Sequence, residues 1–375
     1  MTLKATEVFT PGAFPKLTYV ERRESGLEQT LRDALATPGQ LISLSGPSKS
    51  GKTVLVERVV HQDHLIPLTG AGIQSPDDIW NRVLDWMAAP NSITTTSQSG
   101  STSAAEVAIK GGAGIPLLVS GEAAAKGSFG TTNSESSGAS STRRGLQQVA
   151  KEIANSAYVV LVDDFHYMPR VVQEEAAKIM KEAVRLGVKI VAASVRHRGD
   201  DVVRANPELR GRIRSIDLDY WKPDELRHIA ENGFNALNAE FPADSVASFV
   251  RESAGSPQLM QLICLNACFV AGVREKNLLP NVVPESKDLM RNVFSQTSAS
   301  TDFRSLVDVL DAGPKTRGTE RKMYKFHDGS EADVYRVILK AVAADPPTLS
   351  FSYDELTRRL HEVCKGEIPL AACLT

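Results

Sequence analysis

An eight-residue motif constrains the fold of this chain more than any other feature of its sequence. The stretch Gly46-Pro47-Ser48-Lys49-Ser50-Gly51-Lys52-Thr53 fits the pattern G-x-x-x-x-G-K-[ST] at every fixed position. The apolar run at residues 41–45 predicts a buried strand before the motif, and residues 53–60 predict a helix after it. A strand, a glycine-rich loop and a helix in this order predict an α/β fold with a parallel sheet.

Each residue type in the motif has a chemical reason to hold a nucleoside triphosphate. Glycines let the backbone turn its N–H groups toward the β- and γ-phosphates, and the helix N-terminus adds a partial positive charge. The Lys52 ammonium would bridge the phosphates, and the Thr53 hydroxyl would hold Mg²⁺. The sequence therefore predicts ATP and Mg²⁺ as ligands. The expected nucleotide contacts are Gly46, Pro47, Ser48, Lys49, Ser50, Gly51, Lys52, Thr53 and Val54.

A second candidate motif ends in two carboxylates. The apolar run at residues 158–162 leads directly into Asp163 and Asp164. Such a run is typical of a parallel strand buried on both faces, and its carboxyl end would place Asp163 beside the Mg²⁺ that Thr53 contacts. Asp164 would face the γ-phosphate and orient or deprotonate the attacking water. The two motifs together predict an ATPase.

The composition is that of an ordinary soluble globular protein with two or three domains. Of 375 residues, 42% are apolar and 23% charged, and a formal net charge of −2 leaves no global attraction to nucleic acid or to anionic membranes. The four cysteines lack the spacing of a zinc site, and Cys264 and Cys268 are expected in a core. We find no signal-peptide core and no apolar run long enough to span a bilayer, so we expect a cytoplasmic location.

The composition changes between about residues 91 and 145, where Ser, Thr, Gly and Ala dominate. This stretch is predicted to be an insertion into the core. A flexible linker or a hairpin of weakly specified register is one interpretation, and a rigid subdomain is the other. An apolar island at residues 115–119 is also consistent with a hairpin that touches a partner or a membrane on activation.

Regular structure is predicted again after the insertion. The predicted core elements are a helix at 146–153, a helix at 171–186, a strand at 188–194 that ends in Ser194, and a strand at 215–220. Three further helices are predicted at 223–239, 243–254 and 257–273. Toward the C-terminus we predict a helix at 333–342, a short strand at 348–352 and a helix at 353–364.

Three segments of the sequence together resemble the AAA+/STAND group of P-loop ATPases. They are the paired aspartates, the stretch Trp221-Lys222-Pro223-Asp224-Glu225-Leu226, and Gly255-Ser256-Pro257. Within the group the chain is similar, over about residues 19–271, to origin-recognition-type ATPases and to the STAND switch ATPases of signalling and bacterial defence. The resemblance implies a nucleotide core at 1–220, an α-helical lid at 221–278 and a C-terminal module at 279–375.

The resemblance also implies contacts to the base. Tyr19, Val20 and Arg22 resemble the segment that packs on adenine, and Pro257 resembles part of the lid motif near adenine and ribose. Asp164 stands where the AAA+ branch usually has glutamate, which agrees better with the STAND pattern and implies slow hydrolysis. Gln258 stands where many AAA+ members have an arginine, so γ-phosphate sensing by the lid is not expected.

Arginines are dense between residues 196 and 214. They form either a solvated face or the source of a guanidinium that contacts the γ-phosphate of a neighbouring subunit. By resemblance, that arginine lies just before the last core strand, so we choose Arg212, with Arg210 and Arg204 behind it.

The C-terminal module has two interpretations, a partial winged helix and a small helical interaction module. A complete DNA-reading helix is not visible in the sequence, since a third helix would begin at about Thr375.

We expect an ATP-dependent switch that forms a homo-oligomer, or orders the surface for a protein partner, and is reset by slow hydrolysis. The alternative is a DNA-handling ATPase of the replication-initiator or transposition-regulator type, in which the arginine-rich region or the C-terminal module contacts phosphates.

Overall fold

The computed structural model describes residues 2–89, 92–95, 139–142, 145–195, 211–301, 303–314, 321–344 and 351–365. The chain divides into two compact units. The first unit comprises Met1–Ser25, Pro47–Val54 and Asp219–Thr375, and the second comprises Gly26–Gly46 and Leu55–Leu218. The domain bounds at residues 220 and 278 stay a prediction.

The second unit is built on a parallel sheet. Its strands along the chain are β1 (Leu41–Gly46), β2 (Leu65–Thr69), β3 (Ser92–Thr95), β4 (Ala139–Thr142), β5 (Val159–Asp163), β6 (Lys189–Val195) and β7 (Ile213–Asp217). Five of them form the sheet in the order β2-β5-β6-β1-β7, with every pair parallel. All six residues of β1 are buried, which confirms the parallel α/β core predicted from the apolar runs.

Helices cover both faces of this sheet. After the short α1 (Ala5–Val8) of the first unit, the chain forms α2 (Leu27–Ala36), α3 (Lys52–Val59), α4 (Pro76–Trp86), α5 (Leu146–Ile153) and α6 (Arg170–Arg185). Along β5, Val160 and Val162 join one apolar cluster with α4, α5 and α6, whereas Val159 and Leu161 join another with α2 and α3. Successive strand residues thus supply opposite cores, and each full burial stabilises the fold by roughly 1.5–3 kcal/mol.

Two element boundaries in the sheet differ from the prediction for physical reasons. Strand β7 ends at Asp217 and not at Tyr220. Its neighbour β1 ends at Gly46, and the last bond to it is donated by Leu218 N to Ser45 O at 2.7 Å. The apolar run at residues 64–68 predicts His64 as the first residue of the second strand. His64 instead lies in a 3₁₀ turn before β2, in which the His61 side chain accepts a bond from Asp63 N.

The ends of the predicted insertion carry a two-stranded ladder. Strands β3 and β4 pair antiparallel, with Ser92 opposite Thr142 and Thr95 opposite Ala139. The apolar island at residues 115–119 lies outside the described residues.

The first unit contains three helices in the predicted lid: α7 (Pro223–Ala236), α8 (Ala243–Glu252) and α9 (Pro257–Val270). Two short strands, β8 (Ala239–Glu240) and β9 (Asn281–Val282), pair parallel beside them. Each helix ends two or three residues before its predicted end. Left-handed residues follow at Asn238, Ala254 and Gly272, with φ of +52°, +48° and +76°, and such residues end a right-handed helix.

Residues near the N-terminus pack into the same core as these helices, which the sequence did not predict. The Phe9 ring meets Phe234 edge-on, with ring centroids 5.2 Å apart. A Cβ added at Gly233 would lie 2.2 Å from the Phe9 ring, so only glycine fits there. Buried Gln261 Nε2 donates to Thr18 Oγ1 at 2.6 Å.

The C-terminal region of the first unit is mostly helical but contains a small sheet. Its elements are α10 (Lys287–Ser300), α11 (Phe303–Ala312), β10 (Met323–Phe326), β11 (Glu331–Asp333), α12 (Val334–Val342), α13 (Tyr353–Val363) and β12 (Cys364–Lys365). The strands pair antiparallel in the order β11-β10-β12. Of the strand predicted at 348–352, residues 348–350 lie outside the described residues, and Ser352 instead caps α13 through its hydroxyl.

Candidate nucleotide site

The phosphate loop, residues 47–54, adopts a backbone that depends on left-handed residues. Lys49 and Gly51 have φ of +63° and +92°. The Lys52 side chain is buried, and its ammonium donates to Pro47 O at 2.8 Å. Burial of an ammonium is costly unless it is hydrogen-bonded, so this carbonyl holds the charge inside the loop. A phosphate oxygen would be a stronger acceptor for the same group, because both partners would be charged.

The loop also contains a buried polar atom that no group in the described part of the chain satisfies. Ser50 is 2% exposed, and its Oγ makes no hydrogen bond within the described residues. Buried hydroxyls are normally bonded, so an orphaned one fits a polar ligand at this loop. Of the other predicted contacts, Gly46 and Pro47 are buried, Thr53 and Val54 are half-buried, and Ser48 and Lys49 are exposed.

One contact to the phosphate loop comes from the segment before α7. The Trp221 indole Nε1 donates to Ser50 O at 2.9 Å, and Trp221 N donates to Gly255 O at 3.1 Å. The Arg22 guanidinium carbon lies 5.3 Å from the centroid of the same indole. Arg22 is in turn paired with Glu225, Nε to Oε1 at 3.1 Å. The loop carbonyl is therefore held by a side chain that is itself held from two sides.

Tyr19, Val20 and Pro257, which are predicted to contact the base or the ribose, belong to the same unit as the phosphate loop, as does Arg22. The Tyr19 ring stacks on Phe14, with centroids 6.0 Å apart and planes 13° from parallel. Val20 packs against the apolar core of the lid helices. Pro257 is the first residue of α9, where Ser256 Oγ accepts from Leu259 N at 3.2 Å. Their role at the base stays a prediction.

In the second unit, Asp163 and Asp164 form a sharp turn with Phe165 at the end of β5, called here the carboxylate turn. Asp164 has a left-handed φ of +52°, and its N–H donates to Asp163 Oδ1 at 2.8 Å. Gly70 N donates to Asp163 O at 2.7 Å. Both carboxylate residues are half-buried, so they combine a fixed backbone with access to solvent.

Gly70 is a required part of this turn that the sequence prediction missed. A Cβ added at Gly70 would lie 2.3 Å from Asp164 O and 3.0 Å from Asp164 C. No larger residue fits without moving the carboxylate turn. The signal in the sequence is a glycine directly after the last residue of a strand, which marks close approach of another backbone.

Polar residues gather at the carboxyl edge of the sheet in the second unit. Ser45 lies opposite Ser194 on β6 and Asp217 on β7, and Ser45 Oγ donates to Asp217 Oδ1 at 2.5 Å. Gly46 follows at the same edge, opposite Val195, and Asp163 ends β5 there. In open α/β sheets this edge is where ligands bind.

Glu57 is a further acidic side chain in this region, and it was not among the predicted site residues. It lies on α3, four residues after Thr53, and is half-buried. Burial, and to a lesser degree the neighbouring Asp163 carboxylate, raise the pKa of the Glu57 carboxyl above its ordinary value. A visible signal for it was its spacing of one helical turn from Thr53.

Arg212, the predicted trans-acting arginine, is exposed just before β7. Its backbone is fixed because Arg212 O accepts from Leu41 N at 2.8 Å. The second choices, Arg204 and Arg210, lie outside the described residues.

The donor set suits Mg²⁺ better than a metal held by protein alone. Within the part of the chain that the structure describes, no group of three His, Cys, Asp or Glu side chains lies close enough to hold a metal ion. Mg²⁺ usually needs only one or two protein oxygens, because waters and substrate phosphates complete its coordination. Thr53 and Asp163 each carry an oxygen of a suitable type, and their role as Mg²⁺ ligands stays a prediction. Separately, none of the described helices is long and apolar enough to cross a membrane.

Comparisons with known proteins bear on the fold. No protein-family model matches the chain, and no curated protein sequence matches it. Among solved structures it is similar to the ORC2 protein of Aeropyrum pernix, solved as ADPNP and ADP complexes, with a TM-score of 0.51, 16% identity and coverage of 82% of this chain and 76% of that one. It is also similar to Cdc6p of Pyrobaculum aerophilum, with a TM-score of 0.50, 12% identity and coverage of 96% and 84%.

A third similar structure is the RuvB Holliday junction branch migration motor of Thermotoga maritima, with a TM-score of 0.42, 12% identity and coverage of 77% and 75%. The first two matches extend over most of both chains. The chain therefore has the AAA+ P-loop ATPase fold and resembles origin-recognition-like proteins, as the motifs predicted.

Proposed function

We propose that this protein binds ATP with Mg²⁺, hydrolyses it slowly and uses the nucleotide as a switch for self-association or for contact with a protein partner. One observation carries the proposal. A G-x-x-x-x-G-K-T loop leaves the central region of an AAA+ sheet and contains a buried ammonium and an orphaned buried hydroxyl. The oxygens of a bound triphosphate would accept hydrogen bonds from both groups. The nucleotides in the ORC2 complexes are of the same chemical class.

In the proposed reaction, the oxygen of water attacks the γ-phosphorus of ATP. The bond from that phosphorus to the β–γ bridging oxygen breaks, so that ADP leaves with this oxygen and inorganic phosphate is formed. Lys52 would offset the charge that develops on the phosphates, and Asp164 would orient the water or accept its proton. Thr53 and Asp163 would hold Mg²⁺, which neutralises phosphate charge when bound. Because the Asp164 side chain is one methylene shorter than the glutamate usual in the AAA+ branch, we expect slow turnover.

The switch is proposed to act through assembly. Exposed Arg212 would reach the γ-phosphate of a neighbouring copy, so that hydrolysis depends on contact between subunits. Tyr19, Val20 and Pro257 would contact the base and ribose. Placement of this switch in bacterial signalling or defence rests on the resemblance of the sequence motifs to the STAND group.

Particle size and turnover test the switch together. We expect light scattering to give a larger particle with a non-hydrolysable ATP analogue than without nucleotide, and turnover per subunit to rise with protein concentration. Arg212→Ala should lower turnover at least tenfold in the assembled state only. Arg32→Ala, on the exposed face of α2, is the matched control. Turnover independent of concentration would rule out an arginine in trans.

A DNA-handling ATPase is the second candidate. The observation that favours it is the C-terminal arrangement, in which α12 and α13 share an apolar core with a small antiparallel sheet, as in winged helices. Lysines lie over two aromatic rings of β10, Lys322 over Tyr324 and Lys340 over Phe326. The formal net charge of −2 weighs against a strong field for DNA.

Duplex binding over a salt series separates the two candidates. A DNA-handling protein should lose affinity steeply, with a log–log slope of about −0.9 for each phosphate contacted. A slope near zero, or no binding at low salt, leaves the switch as the function to pursue.

A further inference from the structure

The hydrogen bond from Trp221 to the phosphate loop has a consequence for the direction of a neighbouring N–H. A peptide group is planar and trans, so the Ser50 carbonyl and the Gly51 N–H that share one peptide point in opposite directions. Trp221 Nε1 holds this carbonyl at 2.9 Å. The Gly51 N–H is therefore held pointing away from the indole.

Glycine makes this constraint necessary. Gly51 has φ of +92°, and a Cβ added there would meet nothing within 4 Å. Glycine populates positive and negative φ about equally, so the Gly51 backbone is free to turn unless something outside it holds the adjoining peptide. The indole supplies that restraint. Without it, ordering of this peptide would cost conformational entropy when a ligand binds.

Trp221 is well placed to act as the restraint because its own position is fixed. Its backbone N–H donates to Gly255 O at 3.1 Å, and the Arg22 guanidinium lies over its ring. Arg22 is buried, pairs with Glu225 and donates to Asp219 O and Tyr220 O at 3.1 and 3.3 Å. The two groups that hold Trp221 thus come from the N-terminal segment, at Arg22, and from the turn before α9, at Gly255, and both lie within the first unit.

We propose that Trp221 is a positioning residue for the phosphates: its indole holds the Ser50–Gly51 peptide so that the Gly51 N–H is set to donate to a phosphate oxygen before the nucleotide arrives. This inference rests on the proposed function and adds a residue outside the phosphate loop to it.

Trp221→Phe tests the proposal, since it removes the N–H and keeps an aromatic ring under Arg22. The probes are ATP and inorganic tripolyphosphate, which has no base or ribose. If Trp221 acts on the phosphate bed, both affinities should fall by a similar factor of about five to ten, the effect of one hydrogen bond. A merely structural role would lower the unfolding midpoint without nucleotide and leave tripolyphosphate affinity unchanged.

Trp86→Phe is the matched control, because Trp86 is 38% exposed and packs edge-on against Tyr158. It should leave both affinities unchanged and retain the tryptophan emission change on tripolyphosphate binding. That emission change should be lost in Trp221→Phe. If Trp221→Phe does not fold, Arg22→Gln carries the test, with an expected two- to threefold loss of tripolyphosphate affinity from a loosened indole.

The outcomes distinguish this inference from the proposed function. A parent protein that binds neither ATP nor tripolyphosphate overturns the proposed function itself. A parent that binds both, with tripolyphosphate affinity unchanged in the folded Trp221→Phe variant, overturns only the role of Trp221.

Discussion

The phosphate loop and the carboxylate turn follow two parallel strands, β1 and β5, but they present opposite chemistry. The loop offers donors: backbone N–H groups, the Lys52 ammonium and the Ser50 hydroxyl. The turn offers acceptors, the carboxylates of Asp163 and Asp164. In both, backbone in the left-handed region determines what is presented, at Lys49 and Gly51 in the loop and at Asp164 in the turn. In the proposed function, two similar strand ends would thus serve as a phosphate bed and as a metal and water site through local backbone shape.

Lys49 and Asp164, the two left-handed residues of these regions that are not glycine, carry strain. A left-handed residue other than glycine costs about 1–3 kcal/mol and persists only when its neighbours hold it. Around the carboxylate turn the neighbours are the bond from Asp164 N to Asp163 Oδ1 and the close approach of Gly70. Around the phosphate loop they include the indole of Trp221. If the phosphate loop holds the phosphates and the carboxylate turn positions the metal and the water, substitutions in the loop should lower ATP affinity. Substitutions in the turn should lower turnover.

The largest expected effect is the loss of nucleotide binding in Lys52→Ala. Removal of the only side-chain cation of the loop that is buried leaves the phosphates without a charge-assisted donor, so ATP affinity should fall at least about 100-fold. Lys16→Ala, at an exposed position of the first unit, should bind as the parent does. Calorimetric titration with ATP and Mg²⁺ measures both. Equal affinity in Lys52→Ala would mean that the loop does not hold the triphosphate.

Asp164→Asn should have the opposite profile. Asparagine tolerates the left-handed φ of +52° and keeps the shape of the side chain, but it is a far weaker base. ATP affinity should stay within about threefold, whereas turnover should fall by roughly 10²-fold or more. Steady-state phosphate release and equilibrium ATP binding on the same preparation separate the two quantities. Turnover at the parent rate would exclude Asp164 as the residue that orients water.

Gly70→Ala should damage the carboxylate turn through stability. The added methyl would lie 2.3 Å from Asp164 O, so the two backbones must separate. We expect a loss of about 1–3 kcal/mol in the free energy of unfolding, typical of overpacking, together with lower turnover. Gly12→Ala is the control, since a Cβ there meets nothing within 4 Å. Denaturant unfolding measures both variants, and equal stability would mean that the turn yields at little cost.

The features of the phosphate loop and the carboxylate turn that the sequence predicted are those that depend on residues close together in the chain. The apolar runs at β1 and β5 indicate parallel strands, because a strand buried on both faces is apolar at every position. The loop motif is recognised by its fixed spacing. The contact of Trp221 with Ser50 joins residues 171 positions apart, and nothing in either segment alone indicates it. Gly70 had a local signal, its place directly after β2, but the sequence does not show which backbone approaches it, because Asp164 comes much later in the chain.

The C-terminal sheet was missed for a different reason. Strand β10 alternates exposed and buried residues over only four positions, and β12 has two residues, which is too short for a period to be recognised. The short helix α1 was missed likewise, and it is held by packing against lid residues such as Phe234 through the adjoining Phe9.

The smallest expected effect concerns Glu57, a further carboxylate that interacts with Asp163 of the carboxylate turn. Its pKa in the folded protein is raised above 4.5, first by burial and then by Asp163. An acid whose pKa is raised by folding contributes stability below its ordinary value, and that contribution is lost as the pH rises through the folded value.

Glu57→Gln should therefore increase stability at pH 7 by a few tenths of a kcal/mol, since solvent screens a half-buried group, and the increase should vanish below about pH 4.5. Glu152→Gln, at an exposed position of α5, is the control. Unfolding midpoints at pH 4 and pH 7 without nucleotide measure the difference. An equal change in stability at both pH values would mean that Glu57 acts through packing and not through its charge. The acidic charge at the end of β5 would then come from the carboxylate turn alone.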